Sequence, residues 1–275
     1  MSSESLPLVS VIIPTHNRKE LLERAVDSVL GQTWENLEIV VVDDASDDDT
    51  PAYLKNLKEK YHTVHAIRNE SSRGAAVSRN IAIQHATGEF ITGLDDDDYW
   101  RPTRIERLME EFEDGFSAVC SYDRMVMNDR EAVWKKPTMI TLDDLLYYNR
   151  VGNQVLTKKE YLEEVGGYDE ELPSAQDYDL WIRLVLEYGP VRTVTQPLQV
   201  VNMEDDRERI STDDKKMEGY CRCYEKHEKW MSHKHKKYQA YRLKMEGDEQ
   251  VSWLDLFRSV PPGLYIKEIT RKLFL

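Results

Sequence analysis

Four consecutive aspartates, Asp95, Asp96, Asp97 and Asp98, follow directly on the apolar segment Glu89 to Leu94 and precede Tyr99-Trp100. An arbitrary acidic run is a solvated loop, but this one stands at the edge of a core. Carboxylates crowded there raise one another's pKa or recruit a cation. Hard divalent ions such as Mg2+ and Mn2+ take oxygen ligands and bridge one or two carboxylates to phosphates. The alternating acids Asp95 and Asp97 suit that work on one edge of the chain, which predicts a metal–diphosphate site. Other apolar runs also end in polar groups: Pro14-Thr15-His16-Asn17-Arg18, Asp43-Asp44-Ala45-Ser46, and Arg68-Asn69 leading to Arg73-Gly74. Asp43 or Asp44 would serve as a turn and helix cap, or would accept the imide N–H of a uracil ring. Arg73 and Arg79 are surface charges at a helix start or partners for phosphate.

These groups need a scaffold that delivers strand ends to one rim. Leu8 to Ile13 and Leu37 to Val42 are continuous apolar runs, as expected of strands buried on both faces. Val64 to Ile67 and Glu89 to Leu94 are a third and fourth strand. Between them lie helices: Arg18 to Leu30 capped by Asn17, one starting at Thr50-Pro51, and Gly74 to Ala86. This alternation predicts a parallel sheet with right-handed crossovers, in which ligands bind beyond the carboxyl ends of the strands. Farther on, Pro102 to Phe112 reads as helix, Ser117 to Tyr122 as strand and residues 123–157 as short irregular pieces. Helices over Lys158 to Val165 and Asp177 to Tyr188 follow, the second with Leu180, Trp181, Leu184 and Val185 inward. Val191 to Val201 reads as a strand pair broken at Pro197.

At 275 residues and 40% apolar content, the chain can bury a sizeable core. With 32% charged residues and no stretch near the ~20 uncharged apolar residues of a spanning helix, an integral membrane protein is excluded. No secretory signal is present at Met1 to Pro7, and three cysteines do not make a disulfide framework, so the expected location is the cytoplasm. A net charge of −14 argues against nucleic acid as a partner. The charge is uneven: Lys215 to Lys244 holds ten Lys or Arg against three acids. There is no G-x-G-x-x-G after the first strand, no Walker loop and no G-x-S-x-G elbow. In the tail, Cys221, Cys223, His227, His233 and His235 match the spacing of no common zinc module.

Taken in order, Pro14 to Arg18, Val42 to Ser46, Asn69 with Arg73-Gly74 and Ser78-Arg79-Asn80, and Gly88 to Ile91 into Asp95–Asp98 resemble family 2 glycosyltransferases of the GT-A fold. The likeness continues through Val165-Gly166-Gly167-Tyr168-Asp169 and Gln176 to Leu184, and covers about residues 7–205. It implies an α/β, Rossmann-like, mainly parallel mixed sheet flanked by helices. Residues 1–205 would form the transferase domain, with a nucleotide-sugar half at about 7–100 and an acceptor half at about 101–205. Residues 206–275 would form a basic, aromatic, helical extension. The implied activity is inverting transfer of a sugar from a nucleotide sugar, most often a UDP-sugar, to a saccharide or lipid-linked saccharide of the bacterial surface.

By position, Pro14, Thr15, Asn17 and Arg18 would lie near the base or ribose, Asp43 or Asp44 on uracil, and Arg73 or Arg79 near the nucleotide. Asp95 and Asp97, flanking Asp96, resemble the D-x-D pair, with Asp97 the direct ligand of Mn2+ or Mg2+. Asp177 matches the base that takes the acceptor's proton, with Asp179 the competing candidate. Two departures stand out: Gln176 replaces a common Glu, and Asn202-Met203-Glu204 replaces an Arg-x-His segment, leaving Glu204 as a substitute metal ligand. The tail lies outside the likeness. Its Tyr220, Tyr224, Trp230, Tyr238 and Tyr241 among Lys and Arg fit either an anionic inner-membrane surface or packing back on the domain.

Overall fold

The computed structural model of the chain describes residues 6–127, 130–203, 213–246 and 251–274. In chain order its strands and helices are β1 (Val9–Thr15), α1 (Lys19–Leu30), β2 (Leu37–Asp43), α2 (Thr50–Lys60), β3 (Val64–Arg68), α3 (Ala75–His85) and β4 (Phe90–Gly93). There follow β5 (Tyr99–Trp100), α4 (Arg104–Glu110), β6 (Ala118–Met127), β7 (Arg130–Trp134), β8 (Met139–Ile140) and α5 (Leu142–Tyr147). Next come β9 (Leu156–Lys158), α6 (Lys159–Glu164), α7 (Gln176–Tyr188) and β10 (Val191–Asn202). The tail contributes α8 (Asp213–His227), α9 (His233–Glu246), α10 (Trp253–Ser259) and α11 (Tyr265–Phe274).

One mixed sheet runs in the order β3-β2-β1-β4-β9-β6-β10-β5, with β7 on β6 and β8 on β10. Strands β3, β2, β1 and β4 are parallel, and β9 turns the direction by pairing antiparallel to both β4 and β6. The apolar runs are explained by cover on both faces. Val9, Val11 and Ile13 face α1, α2 and α4 through Leu22, Val26, Leu54 and Ile105. Ile12, Val40 and Val42 face α3 and α7 through Ala82, Leu180 and Trp181. The register aligns Thr15 with Asp43 and Asp43 with Arg68, so three strands end level and their polar residues share one rim.

Three sequence expectations change. Asn17 does not cap α1: at φ 54° it is left-handed, and its side-chain oxygen accepts from the Asp47 N–H, tying the loop after β1 to the loop after β2. Pro197 does not break a strand pair, because β10 continues through it with a register shift against β6. The region from 123 to 157 is more regular than its pattern suggests: β6 runs on to Met127 and pairs with the exposed edge strand β7. An edge strand with little buried surface carries no apolar alternation to read.

The tail folds back on the domain. Tyr238 and Tyr241 are buried with Leu256, Val260 and Leu264, against Tyr147 and Tyr148 of the α5 region, and the Tyr238 hydroxyl donates to Glu268 at 2.7 Å. These two tyrosines therefore face protein, while Trp230 stays about half exposed at 48%. Helix α8 presses on the turn before α7: a Cβ at Gly219 would sit 2.5 Å from the Ser174 carbonyl oxygen. Backbone cannot yield as a flexible side chain does, so Gly219→Ala should lower stability by about 1–3 kcal/mol in urea unfolding. Unchanged stability would mean that α8 does not hold this close approach.

Candidate functional site

The chain after β4 turns at 95–98, with the Asp98 N–H donating to the Asp95 carbonyl at 3.0 Å. The turn sorts its four carboxylates by alternation. Asp96 and Asp98 point inward and are 5% and 2% exposed, whereas the side chains of Asp95 and Asp97 keep 22% and 29% exposure. Asp96 accepts from the Thr15 hydroxyl at 2.8 Å and from Arg18 at 3.1 Å. Arg18 also reaches Asp97 at 3.3 Å, and Arg24 donates to the Asp97 carbonyl. Asp95 accepts from Arg79 at 2.7 Å, from Asn153 at 2.8 Å and from Gln154 at 2.9 Å. Among the described residues, the donors to Asp98 are uncharged: Asn153, Gln199 and the Asn202 N–H.

The electrostatics follow from that packing. Burial pushes the Asp96 carboxyl up to about 6, against the opposing charge of Arg18. Burial pushes Asp98 well above the usual carboxylate range, and the charges of Asp95 and Asp97 push it further. The rim thus holds more negative charge than its arginines neutralise comfortably. Its two more exposed members, Asp95 and Asp97, are hard oxygen donors spaced as Asp-x-Asp, so the residues fit a small divalent cation that also takes ligands from a phosphate. Among the described residues no group of three His, Cys, Asp or Glu forms a closed cage. Glu204 lies outside the described residues.

At the next strand end, Asp43 accepts from the Ser46 N–H at 2.9 Å and pairs with Arg68. Asp43 and Arg68 also line a shallow cleft beside α2 that includes Lys55 and Lys58. Asp44 is used differently. It accepts from the Asn69 amide, the Ser72 hydroxyl, and the N–H groups of Arg73 and Gly74, at 2.7–2.9 Å. Burial alone would raise its pKa, but these donors hold it below the ordinary value. Asp44 is therefore the clasp of the 69–74 loop, and the exposed Arg73 enters the site through its backbone. Pro14 keeps its place in β1 opposite Val42.

Asp177 stands in the first turn of α7, just after Ala175, which is held at φ 59°. Left-handed backbone at a residue other than glycine costs of order 1 kcal/mol and tends to persist where geometry is used. Asn17 and Ala45, the other two such residues among those described, lie in the rim loops after β1 and β2. Asp177 is half-buried and accepts from Asn149 at 3.0 Å. Burial pushes its carboxyl up to about 6, with Arg79 opposing and Asp95 adding. Asp179, two residues on, has the opposite fate. It is fully buried, and burial alone would raise it, yet His227, Arg183 and Lys226 hold it well below the usual range. Of the two acids of this turn, Asp179 is fully engaged, whereas Asp177 keeps its carboxyl raised and partly accessible.

The side chains that join these two halves directly, Asn149, Asn153 and Gln154, carry no charge and left only a faint mark in the sequence pattern. Asn149 holds Asp177 and the Gly152 carbonyl, while Asn153 and Gln154, in the same segment, hold Asp95. Trp181 of α7 donates to the Gly152 carbonyl at 2.8 Å, and buried Lys136 donates to the Val151 carbonyl at 2.7 Å. Segment 149–154 is thus a crossbar from the acidic rim to the start of α7. Its only sequence signal is a polar stretch, Asn149, Asn153 and Gln154, inside a region that reads as irregular.

Residues 10–168 match the family described as Glycosyl transferase family 2. A protein of Escherichia coli K12 named as a colanic acid biosynthesis glycosyl transferase is 34% identical over 91% of this chain and 92% of its own length. An E. coli enzyme named as a β-1,3-glucosyltransferase acting from UDP-Glc on α-D-GlcNAc-diphosphoundecaprenol is 31% identical over 66% of this chain and 71% of its own. Residues 1–349 of S. aureus TarS, solved with UDP-GlcNAc, superpose with a TM-score of 0.69 at 19% identity, covering 94% of this chain and 78% of that one. That likeness extends to the mixed sheet, its flanking helices and the helical C-terminal region. The chain belongs to family 2 of the glycosyltransferases.

Proposed function

We propose that the protein transfers a hexose from a UDP-sugar, with inversion, to a hydroxyl of a lipid-linked saccharide in surface-polysaccharide assembly. One observation carries this reading: a half-buried carboxylate, Asp177, with its pKa pushed up to about 6, is tied by the 149–154 crossbar to an acidic rim with two partly exposed carboxylates. Single-step inversion needs a base on one side of the anomeric carbon and stabilised leaving-group charge on the other. Asp177 takes the proton from the acceptor hydroxyl as its oxygen attacks, and the Asn149 amide fixes the carboxylate's direction. Mn2+ or Mg2+ bound by Asp97 and Asp95, with Glu204 as a further candidate, would supply Lewis-acid neutralisation of the diphosphate. Arg18, drawn to Asp96 and Asp97, and Arg79, drawn to Asp95, lie on the same side. Thr15 orients Asp96, and Asn17 shapes the loop over the nucleotide. The uracil imide would be met by Asp43 or Asp44 at the end of β2, where Asp43 already takes the Ser46 N–H and Arg68 and Asp44 takes four donors.

The donor and acceptor classes are supported by the relatives whose names carry UDP-Glc, UDP-GlcNAc and a diphosphoundecaprenol. A lipid-linked acceptor places the enzyme at a membrane surface, on the inner face of the cell membrane. No helix among the described residues is long and apolar enough to cross one. Helix α10, however, exposes Trp253, Leu254 and Phe257 along one stripe, and Tyr265 beside Phe257 leads to Ile266 at 84% exposure. Apolar rings beside exposed Arg258 suit an anionic interface.

Asp177→Asn should leave UDP binding intact in calorimetry while cutting transfer about 10²–10⁴-fold. In the parent enzyme kcat/KM should fall with the ionised fraction below about pH 6, because the base must be deprotonated. Retained turnover in the variant would remove Asp177 from this role. Asp97→Ala should abolish the gain in UDP affinity conferred by Mn2+; an unchanged gain would move ligation to another carboxylate. The chain should sediment with phosphatidylglycerol vesicles and Phe257→Glu should stay in the supernatant, whereas a parent chain that ignores vesicles would remove the membrane contact.

A further inference from the structure

The tail makes a contact with α7 that transfer chemistry does not by itself require. Asp179 is fully buried two residues from Asp177, and only part of its shell comes from its own helix. Arg183, one turn later, donates to it at 2.8 Å and also holds the carbonyls of Val165 and Gly167. The remaining oxygen is closed from α8, by His227 Nε2 at 2.8 Å and Lys226 Nζ at 2.9 Å. Lys226 reaches Asp169 as well, at 2.6 Å. Two more contacts fix the same junction: the Ser174 hydroxyl donates to the Lys216 carbonyl at 3.0 Å, and Gly219 lies against Ser174. Between them sits Ala175, left-handed, whose carbonyl accepts from the Asp179 N–H at 3.0 Å.

We propose that Lys226 and His227 are positioning residues for Asp177: by closing the ion-pair shell of Asp179 from the tail, they fix the first turn of α7 and the charge that surrounds its base. The inference rests on the reading of Asp177 as the base, and it assigns the tail a part in the reaction. A buried carboxylate with one partner removed is costly, so an incomplete shell around Asp179 would be relieved by moving or unwinding the turn. The turn is already bent at Ala175 and cannot move without Asp177. The charged and titratable groups that act on Asp177 are Arg79 of α3, Asp95 of the rim, Tyr168 and, on α8, Cys223. Against that setting Asp179 and Asp169 are nearby negative charges that Arg183 and Lys226 together balance. Loss of Lys226 leaves a net negative field, which favours the protonated form of Asp177.

The test uses the full chain with 13C-labelled aspartate carboxyls, the Asp177 resonance being assigned by its absence in Asp177→Asn. Lys226 is partly exposed, with 35% of its side chain open, so Lys226→Met is accommodated without a buried cavity. Its Asp177 titration should move upward from the parent value by about half a pH unit or more. Lys226→Arg should restore the parent midpoint. His227→Gln, which keeps an N–H within reach of Asp179, should hold the parent titration where His227→Ala raises it. With UDP-glucose as the donor probe, Lys226→Met should lower kcat about tenfold or more at unchanged KM, a size within the reach of base misplacement. A lowered Tm with the Asp177 midpoint and kcat unchanged would overturn the proposal, because the tail would then be only a brace. If Asp177→Asn itself transferred sugar normally, the functional reading would fail, while the carboxyl titration would still report whether the tail and Asp177 are coupled.

Discussion

Negative charge held together at the end of β4 is the constraint on which the rest of this structure depends. Two carboxylates about 5 Å apart repel by about 3 kcal/mol at an effective dielectric of about 20, so four in sequence cannot be packed at a core edge without compensation. The fold answers by turning Asp96 and Asp98 inward onto hydroxyl, amide and guanidinium donors and leaving Asp95 and Asp97 more open. Most of the geometry around the rim follows from that partition. Arg18 and Arg79 are fixed by acids, Thr15 is fixed by Asp96, and Asn153 bridges Asp95 and Asp98.

The same logic separates the two acids of α7. Asp177 and Asp179 share a helix turn, yet burial pushes the first up to about 6 with the Asn149 amide and a backbone N–H as its donors, while the second is held well below the usual range by Arg183, Lys226 and the His227 imidazole. One can exchange a proton at working pH and the other cannot. The saturated acid is the one bound to the tail; under the proposed mechanism, that contact would position the acid that takes the proton.

Much of the scaffold was legible in the sequence because β1, β2 and β4 are covered on both faces, and that cover demands unbroken apolar runs. The acids at 95–98 were legible because charge beside a core is costly and hence informative, whereas Asp177 and Asp179 were singled out only by the family resemblance. Other features left weaker traces. The amides Asn149, Asn153 and Gln154 act across more than twenty-five residues of sequence on Asp177 and more than fifty on Asp95, and neutral polar side chains have no periodicity. Asn17 looked like a helix cap because Asn serves both roles, and only its positive φ assigns it to the loop. Lys226 and His227 belonged to a basic stretch that reads as a solvated face, and nothing local marks the two that reach a buried partner. Tyr238 and Tyr241 left two readings open, since aromatics beside lysines suit an interface as well as a small core, and of the two the structure has them packed back on the domain.

Anomalous diffraction from crystals soaked with manganese and UDP tests the central claim most directly. The account predicts a manganese peak about 2 Å from a carboxylate oxygen of Asp97, shared with the UDP diphosphate, on the side of the rim that faces the start of α7. Manganese bound away from residues 95–98, or UDP seated in a different cleft, would contradict it.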